Sequence, residues 1–506
     1  MKKIVTVVLT IALALGLTGC SGGSSQSTAS KVTLYWWRPS TDAPVETLNE
    51  IKSQFESEHS NIKIEIVTKD IRTYTEEAKN ALSAHATVEN VPDILSLPAE
   101  DLPAWITALT PASDTLFESD LSAKKKTGKT SDQYVADLFE PAVVKSVTFN
   151  SSSSAKIYGL PMAMDTLALY LNKDILEKAA ENLRTTSKNN LTAEELKAKK
   201  TKITTAPKTW QELADIIPYI KVSDGDNISQ AAIALGTAEN VERSYDILQA
   251  IMMQNKTKLT SDDLNSATFN QVGSTSVGQV IPGEEALKFY LRFSNPSDPL
   301  YTWNNTISDS SLNAFANSQT AMLIHYASAY SVIVNKAPSI KSSIDVAALP
   351  QIVDPTIPTN SSLLKTTARM MVETAPNAKA DPARQQAAWT FIKYITSKSG
   401  ASPYLSAMKL PSALKDQAGK AKFEAFANQK TYADVWYKGT LPNEVDGVFI
   451  SMIARARTGT ATKDAVDKAN ADVSAVLQKS LSKWATAAGS SNSSQSQTDN
   501  AEESSE

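Results

Sequence analysis

Residues 158–176 read YGLPMAMDTLALYLNKDIL, and Asp165 stands inside a run that otherwise has the composition of a buried strand. A carboxylate is costly there unless it is hydrogen-bonded or turned towards a ligand. Two other stretches carry groups that could grip a small molecule. Trp36, Trp37 and Arg38 offer two aromatic plates and a planar donor fork, and LPAED (97–101) ends in the acids Glu100 and Asp101. These are groups for holding rather than for making or breaking bonds. His59, His85 and His325 are scattered and match no metal-ligand spacing, so neither a metal nor another cofactor is expected. Gly-x-Ser-x-Gly, P-loop and Rossmann glycine patterns do not occur. Acids are plentiful, so the carboxylate pair of a glycoside hydrolase is not excluded by composition. A lipoprotein serving as adhesin or scaffold, without a small-molecule cleft, is a further alternative.

The chain has 506 residues, 42% of them hydrophobic and 21% charged, with a net charge of -4. That balance suits a large folded core in two or three units. The mild, interspersed acidity argues against a nucleic-acid partner. The one cysteine, Cys20, has no intrachain partner for a disulfide. It follows Lys2, Lys3, an apolar stretch over 4–17 and the residues LTGC (17–20), which look like a bacterial lipobox. In that resemblance residues 1–19 are a signal peptide and Cys20 carries lipid, which places the protein outside the cytoplasm on the bacterial cell membrane. Residues 20–30 read as a flexible Gly/Ser tether. Residues 486–506 read as a disordered polar tail.

Which elements would position the three candidate stretches? KVTLYWW starts a strand with Val32, Leu34 and Trp36 alternating. A helix follows with Val45, Leu48, Ile51 and Phe55 on one face, then strands at 61–67 and 91–97 with a helix between. Strand–helix–strand order at this spacing predicts a parallel sheet covered by helices, with ligand groups beyond the strand ends. Trp36, Trp37, Arg38 and residues 97–101 fall at such ends. Further strands are expected around 167–172, 231–236, 320–325 and 344–350, with helices at 208–220, 283–295, 382–397 and 463–484. In the last of these, Ala465, Ala469, Val473, Val476 and Leu477 form the apolar stripe. Residues 177–206 read as a solvated helical excursion with a capping signal at LTAEEL.

In order and spacing, several stretches resemble the extracytoplasmic solute-binding proteins of ABC importers, in the maltodextrin and sugar-binding type. They are YGLPMAMDTLALYLNKDIL, PKTWQEL (207–213), FANSQTAMLIHYASAYSVI (315–333), VAALPQ (346–351), AWTFIKYITSKSG (388–400) and VFISMIARARTGTATKDAVDKA (448–469). The resemblance implies an α/β fold of two lobes, each a mainly parallel sheet flanked by helices, with a ligand cleft between them. Lobe 1 would take 31–164 and about 364–415, and lobe 2 would take 165–363 and about 416–485. It further implies a monomer that binds a carbohydrate, performs no reaction on it, and delivers it to permease subunits and their ATPase.

Carried over residue by residue, the resemblance puts Asp165 on the cleft floor, where the chain crosses between lobes. Trp36, Trp37 and Arg38 would line the first-lobe wall, with one tryptophan facing inward. The loop after the PDI strand usually brings an aromatic. Here Leu97 replaces it, leaving Glu100 and Asp101. On the second lobe Trp303 sits in a polar loop as cleft or core residue. His325, Tyr326 and Ser328 occupy the strand end where the family stacks an aromatic. Arg369 falls on a second crossing strand, where it either reaches ligand or pairs with a carboxylate. Trp436 and Asp446 precede the long helix near the carboxyl end.

Overall fold

The computed structural model describes residues 31–492, apart from 41–42, 84–90, 118, 121–124, 127–128, 152–153, 187–190, 276–277, 308–309, 353–363 and 378–380. The expected signal peptide, the lipidation site Cys20, the tether and the last residues of the tail lie outside the described residues.

Two five-stranded sheets organise the chain. In the first, Val32–Pro39 pairs in parallel with Ile62–Lys69 on one side and Ile94–Pro98 on the other. Met371–Thr374 then joins antiparallel to Ile94–Pro98, and Leu160–Pro161 closes the order. The helix Val45–Glu58 buries Leu48, Ile51 and Phe55 on this sheet. Helix Pro382–Ile395 adds Phe391, edge-on to Trp36 at 5.0 Å and to Phe55 at 4.9 Å. Gly159 is needed beside the returning strand: a Cβ there would lie 2.4 Å from a Val372 methyl.

The second sheet runs Val222–Asp224, Asn227–Ile233, Thr320–His325, Ala168–Asn172, Ile344–Ala348. Ala168–Asn172 is buried along its whole length, as the apolar run Ala168 to Leu171 requires, and the buried Asn172 donates Nδ2 to Ser318 Oγ at 3.2 Å. Helices Trp210–Ile220, Ser244–Gln254 and Pro282–Leu291 accompany it. The Thr209 hydroxyl caps the first by accepting from the Glu212 N–H.

The sheets are mixed where mainly parallel ones were expected. Asn227–Ile233 pairs in parallel with Thr320–His325, but Ala168–Asn172 is antiparallel to both of its neighbours. The reason is that the chain leaves one sheet at Leu160–Pro161 and enters the other at Ala168, without the βαβ crossover that parallel neighbours need. A third, small sheet spans the junction. Thr366–Arg369 lies antiparallel to Asp165–Thr166 and parallel to Ala433–Asp434, so three crossings are held side by side.

Helices Pro442–Arg457 and Thr462–Asn492 finish the fold. Ala465, Ala469, Val473, Val476 and Leu477 are buried as their spacing predicts, and the last helix runs past the position 485 at which the folded body was expected to end. The excursion forms helices Lys173–Thr186 and Ala193–Thr204, the second opened by a Thr192–Glu195 capping box.

Candidate ligand-binding site

The junction sheet decides which side chains meet. Arg369 and Asp165 are direct cross-strand partners. Strand Thr320–His325 ends beside them, so His325, Tyr326 and the start of helix Ala329–Lys336 lie against the crossing. Asp165 is buried, and its two oxygens accept the N–H groups of Ala327 at 2.9 Å and Ser328 at 3.4 Å. It therefore ties the second lobe to the crossing. Burial pushes its carboxyl up to about 6 against the pull of those two N–H groups.

A run of alternating charges extends from Arg369. Its Nη2 lies 3.4 Å from Asp246 Oδ2; Asp246 Oδ1 lies 3.5 Å from Lys438 Nζ; Lys438 Nζ lies 2.6 Å from Asp446 Oδ1. Burial works against an ionised Asp246, but Arg369, Lys438 and Arg243 outweigh it and hold its carboxyl below the usual range. Asp446 has Lys438 beside it yet is pushed up to about 6, mainly by burial. Burial also opposes the charge on Lys438, and Asp246 and Asp446 raise it regardless.

Lobe 1 reaches this chain through LPAED. The Glu100 carbonyl accepts the Lys438 N–H at 3.1 Å. Asp101 is buried and pushed well above the usual carboxylate range, first by burial and then by Glu100. Its Oδ1, the Tyr437 Oη and the Trp436 Nε1 are buried without a hydrogen-bond partner among the described residues. Each such group costs roughly 1–3 kcal/mol, so they cluster where something else must complete them.

Other expected contacts are placed elsewhere. Trp36 and Arg38 are fully buried in lobe 1, where Trp36 Nε1 donates to Glu373 at 2.8 Å and Arg38 pairs with the same carboxylate. Trp37 is also buried, under Lys69, whose Nζ is 4.5 Å from the ring. One tryptophan was expected to face the cleft; helices cover both faces of this sheet, so alternation buries both. Trp303 is a core residue, its Nε1 donating to Thr237 at 3.1 Å and Asn240 at 2.9 Å. Tyr326 does not present a free face either. The guanidinium carbons of Arg369 and Arg243 lie 5.0 and 5.6 Å from its ring centre. His325 is buried, accepts the Tyr326 N–H, and is pushed down to about 3 by burial and then by Arg243. Ser328 remains exposed.

Glu100, Asp101, Asp165, Arg369 and Asp446 are thus brought to one place, while Trp436, two residues before Lys438, packs edge-on to Phe449 at 5.3 Å. The sequence reading missed Arg243, Tyr245, Asp246, Tyr437 and Lys438. Tyr437 and Lys438 directly follow Trp436 in VWYKG, and that aromatic–basic run was the available signal. Arg243 and Asp246 sit at an ordinary-looking helix start. A separate cavity of about 570 Å³, lined by Tyr134, Lys393 and Tyr394 among others, lies within lobe 1 and shares no residue with this cluster. Among the described residues no group of His, Cys, Asp and Glu is arranged to hold a metal ion, and no helix is long and apolar enough to cross a membrane.

Two α/β lobes joined by three adjacent crossings, with polar side chains converging at the junction, define a solute-binding protein. The sequence profile of the bacterial extracellular solute-binding proteins matches residues 50–431, and the chain belongs to that family. No curated protein matches the sequence. Among solved structures, the sugar-binding protein MalE from Xanthomonas citri is similar at 18% identity with a TM-score of 0.64, over 90% of this chain and 99% of its own. A cyclic α-maltosyl-1,6-maltose binding protein from Arthrobacter globiformis gives 16% and 0.63, over 89% and 100%. An ABC transporter solute-binding protein from Thermotoga lettingae, bound with α-D-tagatose, gives 21% and 0.60, over 88% and 100%. Likenesses at these identities establish the fold.

Proposed function

We propose that this chain is the substrate-binding subunit of an ABC importer, and that it captures a carbohydrate between its lobes and hands it to a membrane permease driven by an ATPase. It acts as a monomer, tethered outside the cytoplasm by lipid on Cys20, and does no chemistry on its ligand. The observation that carries this reading is the junction cluster. Asp101 from lobe 1 and Trp436 and Tyr437 from the carboxyl-terminal segment leave buried polar atoms without hydrogen-bond partners among the described residues, and sugar hydroxyls both donate and accept. A junction rich in charged and polar side chains suits a hydroxyl-bearing guest more than a hydrophobic one. Ligand contacting both lobes favours the closed form by its differential affinity. The structural neighbour bound with α-D-tagatose and the one that is a cyclic α-maltosyl-1,6-maltose binding protein support the same class of ligand.

The test is a thermal-shift screen of the chain lacking residues 1–19 against mono- and oligosaccharides. A saccharide at about 100 times its Kd should add about 2.7 kcal/mol of stability. Failure of every saccharide to shift the melting temperature, or release of cleaved glycan, would overturn the reading. Mass spectrometry of the membrane-extracted protein should find a lipidated amino-terminal cysteine, and Cys20→Ser should release the protein from membranes.

A further inference from the structure

The two sides of the junction differ in chemistry. Lobe 1 contributes the acids Glu100 and Asp101, with Lys79 close enough to pull the Asp101 carboxyl down. The crossing strand and lobe 2 contribute the cations Arg369, Arg243 and Lys438 together with the acids Asp165, Asp246 and Asp446. Lys438 is committed to Asp246 and Asp446. The arginines are less occupied. Arg243 donates Nη1 to Tyr245 Oη at 2.9 Å, and its Nε is buried without a hydrogen-bond partner among the described residues. Arg369 keeps a third of its side-chain surface exposed, and its one ion pair among the described residues is the 3.4 Å approach to Asp246. Both guanidinium groups gather over the ring of Tyr326. Asp246 lies against both arginines, and Glu100 and Asp165 add negative charge at Arg369. The buried Arg243 Nε and the exposed part of Arg369 still offer donors to an incoming acceptor.

We infer that the captured carbohydrate is acidic, with the carboxylate of a uronic acid unit held between Arg243 and Arg369 and its hydroxyls turned to Glu100 and Asp101. This rests on the carbohydrate reading above. A planar carboxylate matches the guanidinium fork, which can receive it through two parallel bonds. Beside Arg243 the field is positive: the arginines and Lys438 hold Asp246 ionised against burial, and after burial Arg243 is the main cause that keeps His325 neutral. Nearer Glu100 and Asp446 the acids raise one another.

The experiment is isothermal titration of the chain lacking residues 1–19 with galacturonate oligosaccharides and with neutral glucose oligosaccharides of equal length. The expected result is a Kd at least about tenfold lower for the acidic series, the size of one charge-assisted pair. Arg243→Gln, on a partly exposed side chain, and Arg369→Gln should each abolish that preference, and Arg369→Lys should restore it only in part. Circular dichroism melting of each variant establishes that it is folded. Neutral sugars binding as well as or better than acidic ones would overturn the inference and leave the carbohydrate reading standing. An acidic preference that survives both glutamine variants would overturn the assignment to these arginines. Binding of neither series would overturn both.

Discussion

Two buried charge networks in this molecule invite comparison. In lobe 1, Glu373 receives Arg38, Trp36 Nε1 at 2.8 Å and Ser96 Oγ at 2.7 Å, and every one of these partners lies in the same sheet. At the junction, Asp246 and Asp446 share Lys438, Arg369 stands at 3.4 Å from Asp246, and neighbouring polar atoms have no hydrogen-bond partner among the described residues. The first network is closed around its carboxylate, and it welds the returning strand Met371–Thr374 to the lobe 1 sheet. The second draws its members from both lobes and the crossings and stays incomplete. Buried charge by itself therefore does not mark a site; incompleteness at a boundary does.

Glu373→Ala should separate the two networks most sharply. It strands Arg38 in a fully buried position and should cost about 3–5 kcal/mol, read by urea unfolding, with ligand affinity in the surviving folded fraction little changed. A loss below about 1 kcal/mol would mean that the lobe 1 network is not what holds the sheet. Lys438→Met should cost less stability, about 1–2 kcal/mol, because Asp446 is poised to take up a proton and Asp246 keeps two arginines. Its larger effect should be on ligand binding, the reverse of Glu373→Ala; equal effects on both readouts would erase the contrast.

Smaller effects should appear in pH profiles. The Asp446 carboxyl, at about 6 in the folded protein against 3.8 ordinarily, adds stability that is full below pH 3.8 and is lost as pH rises through 6. Relative to Asp446→Asn, the parent protein should lose about 1 kcal/mol between pH 5 and 7. His325 has the opposite sign. Held at about 3 against 6.5, it contributes fully above pH 6.5 and loses that contribution as pH falls, so His325→Gln should flatten the acid side of the profile. Flat difference curves would remove both groups from the titration. The smallest effect is expected at the exposed Lys463–Asp467 pair, where Lys463→Ala should leave unfolding unchanged within error.

Much of the architecture was legible in the chain. The Leu34/Trp36 alternation, the Leu48–Ile51–Phe55 face and the stripe from Ala465 to Leu477 follow from periodicity, which is a local property. Asp165 drew notice because an acid in an apolar run has few local explanations. Its actual partners, the N–H groups of Ala327 and Ser328, lie more than 160 positions away, and no pattern in the chain announces them. The same holds for Trp303, whose loop looked polar while Thr237 and Asn240 were waiting to receive its indole.

What the sequence determined by itself was therefore the set of elements, their order, and the family they spell. Only the tertiary structure decided which charges became a site. Helix and strand periods are written over a few consecutive residues, whereas the field at Asp246 adds Arg369 and Lys438 from two distant segments to Arg243, three residues away at the start of its own helix, and burial, set by the packing of whole lobes, fixes how strongly each is felt.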